Sequence, residues 1–257
     1  MKVILLAGGF GTRLGSLTES IPKPMIRIGA KPILWHIMKT YSHFGYRDFV
    51  LSLGYKAEVI KDFFYNYRSY SGDFSIELGS GEVAYLNQVE EADWKVTLVD
   101  TGYNSLKGAR IKRVEQYLDE VNMVTYGDGV ADIDIKKLLA YHNSHDKLLT
   151  ITAVHPPARF GEIIEEKGRL VSFNEKPQIS EGLINGGYMV FDRKLLDYLS
   201  TDESCDFEYE VFDTLVEKDQ IRVYQHLGRW ECIDHERDLI HLNHLWREGK
   251  AFWKVWN

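Results

Sequence analysis

The sequence contains few cysteines, no long apolar run and no surplus of basic residues. Cys205 and Cys232 are the two cysteines among 257 residues, too few for a disulfide framework or a cysteine metal knuckle. No stretch approaches the roughly 18 apolar residues of a membrane span. Lysine and arginine number 31 against 38 acidic residues, for a formal net charge of −7, which disfavours nucleic-acid binding. Two unpaired thiols fit a reducing cytoplasm, so we expect a cytoplasmic protein with no membrane or nucleic-acid partner.

Segments typical of strands and helices alternate along the chain. The apolar run at 2–7 indicates a buried strand, and residues 32–45 place Ile33, Ile37 and Tyr41 at helical spacing between a proline and a glycine. Further strands are predicted at 48–53, 95–100, 122–128, 148–154 and 188–192, and further helices at 56–70, 107–118 and 134–145. This order predicts an α/β fold with a mainly parallel central sheet and helices on both faces. Such sheets bind ligands beyond the carboxyl ends of their strands.

The stretch LLAGGFGTRLGSLTESIPKPMIRIG, residues 5–29, follows the first predicted strand. Its glycines allow backbone N–H groups to converge on an anion, and Arg13 can hold phosphate oxygens through two N–H groups. A proline on each side of Lys23 restricts the backbone around this second cation. The stretch matches neither the Walker pattern nor the dinucleotide pattern. It therefore predicts another kind of phosphate site, and the glycines and Arg13 alone leave open a surface loop with solvated charges.

LLAGGFGTRLGSLT and IPKPM together resemble the signature of the sugar-1-phosphate nucleotidyltransferase family, Gly-Gly-x-Gly-Thr-Arg-Leu followed by Pro-Lys-Pro-Met. The resemblance continues in order through YGDG (126–129), FNEKP (173–177) and NGGYMVF (185–191). It implies a single Rossmann-like domain over residues 1–257, with small antiparallel β additions to the central sheet. Its nucleotide-binding part would span residues 1–130 and its sugar-binding part residues 131–257.

Longer matches narrow the resemblance to one branch of that family. They are KPILWHIMKTYSHFGYRDFVLSLGYK, VTLVDTG, ARFG and the tail LWREGKAFWKVW. Members of this branch transfer a cytidylyl group from CTP to α-D-glucose 1-phosphate, giving CDP-glucose and pyrophosphate. The resemblance thus implies CTP and glucose 1-phosphate as the substrates. The same chemistry with dTTP, UTP or another phosphorylated partner stays open, as does a catalytically inactive regulatory homologue.

The resemblance also implies roles for individual residues. The nucleotide would be bound by Leu6, Ala7, Gly8, Gly9, Phe10, Gly11, Thr12, Arg13, Lys23, Thr101, Gly102, Ser105, Arg110 and Gly127. The sugar phosphate would be bound by Tyr126, Arg159, Gly161, Glu175, Lys176, Asn185, Gly186 and Gly187. A Mg²⁺ ion would be held by Asp128 and Asp234. Because both reactants are anions, catalysis must be mainly charge neutralisation and alignment, and the catalytic residues would be Arg13, Lys23 and Asp128.

Two further segments carry expectations of their own. Residues 72–94 match little of the family pattern, and we interpret them as a flap over the nucleotide. The tail from residue 244 contains three of the six tryptophans. Such a tail either docks on the body of the protein or forms a subunit interface, and we expect a homo-oligomer.

Overall fold

The computed structural model describes residues 1–15, 17–157, 162–166, 169–174 and 182–256. Its strands are β1 (Val3–Ala7), β2 (Arg27–Ile28), β3 (Lys31–Pro32), β4 (Asp48–Leu53), β5 (Phe74–Ile76), β6 (Val83–Tyr85), β7 (Lys95–Asp100), β8 (Val121–Tyr126), β9 (Gly129–Ala131), β10 (Leu149–Val154), β11 (Glu162–Glu166), β12 (Arg169–Asn174), β13 (Ile184–Asp192), β14 (Ile221–His226) and β15 (Trp230–Cys232). Its α-helices are α1 (Leu17–Ser20), α2 (Ile33–His43), α3 (Ala57–Tyr65), α4 (Tyr67–Ser71), α5 (Lys107–Arg113), α6 (Ile135–Asn143), α7 (Phe212–Glu217) and α8 (Glu236–Arg247).

In the part of the chain described, seven strands form a central sheet in the order β14-β10-β13-β8-β1-β4-β7. Strand β1 pairs in parallel with β4 and β8, β4 with β7, and β10 with β14, whereas β13 runs antiparallel to β8 and β10. Short antiparallel pairs, β2–β3, β5–β6, β9–β15 and β11–β12, lie outside this sheet. The predicted α/β fold with a mainly parallel sheet and antiparallel additions is therefore confirmed.

Two apolar cores lie against the central sheet. One contains residues of α2 and α8 with the C-terminal tail, and the other contains residues of α5 and α7. Ile33, Leu34 and Ile37 of α2 are fully buried, each stabilising the fold by roughly 1.5–3 kcal/mol relative to an exposed side chain. The apolar run of β1 is buried through Val3, Ile4 and Leu5, which explains why this strand lacks the alternation of a half-exposed one.

Three predicted elements differ clearly from the observed ones. The predicted helix at 107–118 ends at Arg113, and a separate 3₁₀ turn, Glu115–Tyr117, follows it. The predicted helix at 56–70 is broken into α3 and α4 at Asn66, whose amide donates to the Asp62 carboxylate at 2.7 Å and the Asp62 carbonyl at 3.2 Å. Asparagine competes with helix hydrogen bonds in this way. The strand predicted at 188–192 begins earlier in the structure, at Ile184. The prediction started too late because Gly186 and Gly187 are not typical of a strand interior. Opposite them the β10–β13 register shifts between Ile151 and Ala153.

The C-terminal tail docks on α2 through its tryptophans. Trp253 is fully buried, and its Nε1 donates to His36 Nδ1 at 3.3 Å. His36 Nε2 lies 3.0 Å from the Ile28 carbonyl and donates to it, so the ring is the neutral tautomer with its proton on Nε2. The rings of Trp246 and Trp256 lie 4.7 and 6.2 Å from the His36 ring. The tail thus docks on the body of the protein, which is one of the two placements expected from the sequence.

The segment 72–94 forms the β5–β6 hairpin and then returns to α2. The Glu91 carboxylate is buried and accepts hydrogen bonds from Lys39 Nζ and the Tyr67 hydroxyl, each at 2.8 Å. Trp94 Nε1 donates to Ser42 Oγ at 2.9 Å. These contacts anchor the end of the segment on α2. Among the described residues, no helix has the length and apolar character needed to cross a membrane.

The buried histidines predict a dependence of stability on pH. Burial lowers the pKa of His36 to about 4 and that of His142 to about 4, whereas an unfolded histidine has a pKa of about 6.5. Between these values the unfolded chain binds protons that the folded chain does not. The free energy of unfolding should therefore fall as the pH is lowered through this window, by up to about 1.4 kcal/mol per pH unit for each histidine.

Urea unfolding at intervals from pH 7 to pH 5 measures this slope. A matched variant is His36→Gln, because a glutamine can donate to Ile28 and accept from Trp253 but cannot take up a proton. We expect a flatter slope in this variant. Equal slopes for the two proteins would contradict the assignment of His36.

Candidate active site

A cleft of about 390 Å³ opens at the carboxyl ends of β1 and β8, within the size range of small-molecule sites. The register of the two parallel strands pairs Leu6 with Tyr126, so the glycine-rich loop and the turn after β8 meet at one edge of the sheet. The cleft is lined by residues of the predicted nucleotide and metal sites and by Tyr126 of the predicted sugar-phosphate site. The nucleotide and metal residues are Leu6, Gly8, Gly9, Phe10, Gly11, Thr12, Arg13, Lys23, Ser105, Arg110, Gly127, Asp128 and Asp234.

Local backbone geometry shapes both halves of this loop. Gly11 has a φ of 65°, in the left-handed region, which glycine adopts without steric cost. It precedes the 3₁₀ turn Thr12–Leu14, which carries Arg13. Lys23 begins a second 3₁₀ turn, Lys23–Met25, after the extended Pro22. The prolines thus fix the backbone that carries Lys23, as the sequence indicated.

Asp128 and Asp234, distant in sequence, lie at the ends of paired strands. Strand β9 follows Asp128 directly and pairs antiparallel with β15, which ends two residues before Asp234. The backbone N–H of Ile233 also donates to the carbonyl of Asp128 at 3.0 Å. This pairing explains how two carboxylates from different parts of the chain reach the same cleft.

Four charged side chains converge there. Lys23 Nζ lies 2.6 Å from Asp128 Oδ2 and 2.8 Å from Asp234 Oδ1, and Arg13 Nη1 lies 3.2 Å from Asp234 Oδ2. The Lys23 side chain is 12% exposed, whereas that of Arg13 is 71% exposed. Two formal positive charges therefore face two formal negative charges, one cation held in place and the other largely in solvent.

The pKa values of this cluster follow from burial and pairing. Burial opposes the charge of Lys23, but Asp128 and then Asp234 outweigh it, so the pKa of Lys23 is raised above its usual value. Burial likewise opposes ionisation of Asp234, but Lys23 and then Arg13 hold the pKa of this carboxyl below its usual value. Lys23 is consequently a cation, and Asp234 an anion, at neutral pH.

The donor set suits a hard divalent cation. Asp128 and Asp234 each direct a carboxylate oxygen at the same ammonium group, and Mg²⁺ prefers one or two carboxylates together with waters and substrate phosphates. Within the described residues no group of three or more histidine, cysteine, aspartate or glutamate side chains is arranged to hold a metal. These two carboxylates fit Mg²⁺ if substrate and water complete its coordination.

Arg110, expected at the nucleotide, braces the glycine-rich loop. It is buried, and its guanidinium donates to the carbonyls of Leu53, Gly102 and Gly8 at 2.8–2.9 Å and to Thr101 Oγ1 at 2.9 Å. Thr101 and Gly102 thus accept hydrogen bonds from Arg110 and do not line the cleft, whereas Ser105 lines it. Ala7 is likewise buried in β1.

The space around this guanidinium explains one of the two paired glycines. A Cβ on Gly8 would lie 2.1 Å from Arg110 Nη1, closer than any non-bonded contact permits. Among the described residues nothing lies within 4 Å of a Cβ placed on Gly9. The two glycines therefore have different reasons for lacking a side chain. Gly8 makes room for the brace, and Gly9 leaves the cleft side of the loop open.

Tyr126 connects the cleft to a network that the sequence did not reveal. The Tyr126 hydroxyl donates to Glu208 Oε1 and accepts from Asn185 Nδ2, the latter at 3.0 Å. Glu208 Oε1 also accepts from Lys107 Nζ. Glu208 belongs to a π-helix, Phe207–Val211, a form often found at functional sites. Asp206 caps this turn by accepting from the backbone N–H groups of Glu208 and Tyr209.

Five cleft-lining residues were not among the predicted site residues: Pro24, Asn104, Leu106, Lys107 and Asp206. Pro24 follows Lys23 in the recognised motif, so its position was available as a signal. Asp206 and Lys107 lie in segments without a phosphate or metal motif. The one local sign for Asp206 was an aspartate placed to cap a following turn, and Lys107 had none.

Of the predicted sugar-site residues that the structure describes, Tyr126 alone lines this cleft. Asn185 reaches it through the Tyr126 hydroxyl. A Cβ on Gly186 or Gly187 would meet Val154 or the Tyr126 ring at 2.5–2.6 Å, so packing already requires glycine there. Arg159, Gly161, Glu175 and Lys176 lie outside the described residues. Residues 72–94, all of which are described, contribute nothing to the cleft lining.

Similarity to known proteins extends over the whole chain. The family model described as nucleotidyl transferase matches residues 2–248. The chain is 44% identical over 258 residues to the glucose-1-phosphate cytidylyltransferase of Salmonella typhi, covering 100% of both. It is 40% identical over 257 residues to the probable glucose-1-phosphate cytidylyltransferase of Bacillus subtilis (strain 168), again covering 100% of both. HddC from Yersinia pseudotuberculosis has a similar fold, with a TM-score of 0.66 and 24% identity over 95% of this chain and 99% of that one.

The two paired glycines offer a matched test of the brace. Gly8→Ala should lower the free energy of unfolding by about 1–3 kcal/mol, because the new methyl group forces Arg110 away from its carbonyl partners. Gly9→Ala should be neutral or up to about 1 kcal/mol more stable. Urea denaturation followed by circular dichroism compares them. A Gly8→Ala protein as stable as Gly9→Ala would contradict the role given to Arg110.

Proposed function

The chain belongs to the nucleotidyl transferase family, and from this premise we propose that it transfers a cytidylyl group from CTP to α-D-glucose 1-phosphate. The products are CDP-glucose and pyrophosphate. The observation that carries this proposal is identity of 44% and 40% over full length to two relatives named for that activity. The geometry agrees, since Arg13 and Lys23 meet two carboxylates in one cleft beside a glycine-rich loop.

The reaction is a single displacement at phosphorus. A phosphate oxygen of the sugar phosphate attacks the α-phosphorus of CTP and forms a new P–O bond. The bond between the α-phosphorus and the bridging oxygen breaks, and pyrophosphate leaves with that electron pair. The nucleophile is already an anion, so no general base has to remove a proton. The chain must instead overcome repulsion between two anions and align them.

We assign that work to the two cations of the cleft. Lys23 supplies an ammonium group at the α-phosphate, where negative charge builds in the transition state, and its fixed backbone keeps that charge in place. Arg13 is mobile enough to close on the β- and γ-phosphates, which leave together. Backbone N–H groups of Gly8, Gly9 and Gly11 bind the triphosphate. Asp128 is the third catalytic residue, through its role as a ligand of the metal ion.

Asp128 and Asp234 would hold Mg²⁺, because both present carboxylate oxygens to one point of the cleft. When bound, Mg²⁺ would supply further neutralisation of phosphate charge. The remaining nucleotide residues, Leu6, Ala7, Phe10, Thr12, Thr101, Gly102, Ser105, Arg110 and Gly127, would form the nucleoside side of the site or support it.

The sugar phosphate would lie on the Tyr126 side of the cleft. Tyr126 is held by Asn185 and Glu208, and burial together with Glu208 raises the pKa of its hydroxyl above its usual value. It is therefore a neutral hydrogen-bonding group for sugar hydroxyls. Its partners would be the remaining predicted residues, Arg159, Gly161, Glu175, Lys176, Gly186 and Gly187.

We also propose that residues 1–257 act as one domain in the cytoplasm. Its nucleotide part would span residues 1–130 and its sugar part residues 131–257. Asp234, from the second part, shares a cleft with Lys23, from the first, which supports a single unit. Cys205 and Cys232 are free thiols, as a reducing compartment would keep them.

A homo-oligomer is supported by the exposed apolar surface of the β5–β6 hairpin. Leu78 is 89% exposed and Leu86 66% exposed, and Phe74, Ile76 and Val83 are exposed beside them. Two-stranded hairpins are marginally stable alone in water, and monomers rarely leave such contiguous apolar surface uncovered. We propose that a second copy of the chain covers it.

The substrate assignment is tested by crossing CTP, UTP, dTTP and GTP with several hexose 1-phosphates and measuring pyrophosphate release. CTP with α-D-glucose 1-phosphate should give the highest kcat/KM, about 100-fold or more above UTP, because a site bonded to one base leaves its polar groups unpaired against another. Turnover with dTTP alone would remove CTP from the proposal. No turnover with any pair would point to an inactive homologue.

The assembly is tested by sedimentation velocity on the wild type and on a Leu78→Asp/Leu86→Asp variant. The wild type should sediment as an oligomer and the variant as smaller species. Leu227→Asp is the matched control, because Leu227 is 80% exposed but lies outside the hairpin, and it should leave the assembly unchanged. A monomeric wild type would contradict the proposal.

A further inference from the structure

We propose that Lys23 competes with the divalent cation for Asp128 and Asp234, so that the metal binds tightly only once a triphosphate has drawn the ammonium group away. This rests on the proposed function, since it takes these two carboxylates as the metal ligands. Without nucleotide, the site is closed to metal by one of its own side chains.

Lys23 holds one oxygen of each carboxylate that would bind the metal. Lys23 Nζ lies 2.6 Å from one carboxylate and 2.8 Å from the other, so each oxygen it engages is a metal donor already in use. The Lys23 side chain is 12% exposed, and those of Asp128 and Asp234 are 31% and 23% exposed. Ion pairs this sheltered are screened by solvent much less than surface pairs. A metal ion cannot take these two oxygens while the ammonium group holds them.

The net charge of the cluster also disfavours a metal ion while Lys23 is present. Asp128 and Asp234 contribute two negative charges, and Lys23 and Arg13 contribute two positive ones. The cluster is therefore formally neutral, so it has no net negative charge with which to attract a dication. A dication entering it would also meet an ammonium group at close range. Removal of Lys23 leaves a net negative cluster of the kind that binds divalent cations.

A triphosphate reverses this balance. Its phosphate oxygens compete for Lys23 and Arg13, and the flexible four-carbon stem of lysine allows the ammonium group to turn from carboxylate to phosphate. Arg13, at 71% exposed, is free to follow. The two carboxylates then regain their net charge, and the metal and the triphosphate each raise the affinity for the other, because such coupling is reciprocal.

The test is the affinity of the full-length protein for Mn²⁺ without nucleotide, measured by electron paramagnetic resonance of free Mn²⁺. Lys23→Met and Lys23→Gln should each bind Mn²⁺ about tenfold or more tightly than the wild type. Lys23→Met/Asp128→Asn should lose that gain, which locates it at these carboxylates. Circular dichroism confirms the fold of each variant, and the two single variants back each other should one fail to fold.

Lys39→Met is the matched control. Lys39 also bridges two carboxylates, Glu90 at 2.9 Å and Glu91 at 2.8 Å, but it lies outside the cleft, and Glu90 is 81% exposed. Its removal should leave Mn²⁺ affinity within about twofold of the wild type, because a carboxylate as exposed as that of Glu90 is not held in place for an ion. An equal gain in Lys39→Met and Lys23→Met would overturn the proposal.

Wild-type affinity decides the matter independently. Mn²⁺ binding by the nucleotide-free wild type as tight as that of the Lys23 variants would show that the ammonium group does not compete. Turnover keeps this failure distinct from failure of the proposed function. If the wild type makes CDP-glucose and also binds Mn²⁺ tightly without nucleotide, the competition by Lys23 is contradicted and the proposed function stands.

Discussion

The pairing of the Lys23 ammonium group with two carboxylates is the interaction on which the site depends. It needs three separate pieces of the fold to meet. The parallel register of β1 and β8 brings the glycine-rich loop beside Asp128, the turn between prolines positions Lys23, and the pairing of β9 with β15 delivers Asp234. A sheltered charge requires a partner, so each of these elements constrains the others. The same arrangement gives the cleft fixed charges of both signs, which is what a reaction between two anions requires.

A second buried charge shapes the loop from behind. Arg110 joins the carbonyls of Gly8, Leu53 and Gly102, and so ties the ends of β1, β4 and β7 to α5. Its place explains why Gly8 can have no side chain. The glycine-rich loop thus has two faces. One is shaped by packing against a guanidinium, and the other is left open for a ligand.

The sequence allowed prediction of what local patterns and family motifs encode. Apolar runs located β4 and β7 to the residue, and the motifs placed Arg13, Lys23 and Asp128 in one site. Asp234 was expected from the resemblance, but its reason is long-range strand pairing. Glu208 lies in the π-helix and Lys107 begins α5; no motif marks either residue, because they meet at the Tyr126 hydroxyl only through tertiary contacts. Thr101 and Gly102 were expected at the ligand. A local sequence pattern could not reveal that both accept hydrogen bonds from Arg110.

We propose that Lys23 stabilises the negative charge that builds at the α-phosphate during transfer. The most direct test is pyrophosphate release by Lys23→Ala at saturating CTP and α-D-glucose 1-phosphate, with circular dichroism to confirm the fold. We expect kcat to fall about 100-fold or more, the usual cost of removing one group that stabilises transition-state charge. A folded Lys23→Ala protein with a rate near that of the wild type would contradict this role of Lys23.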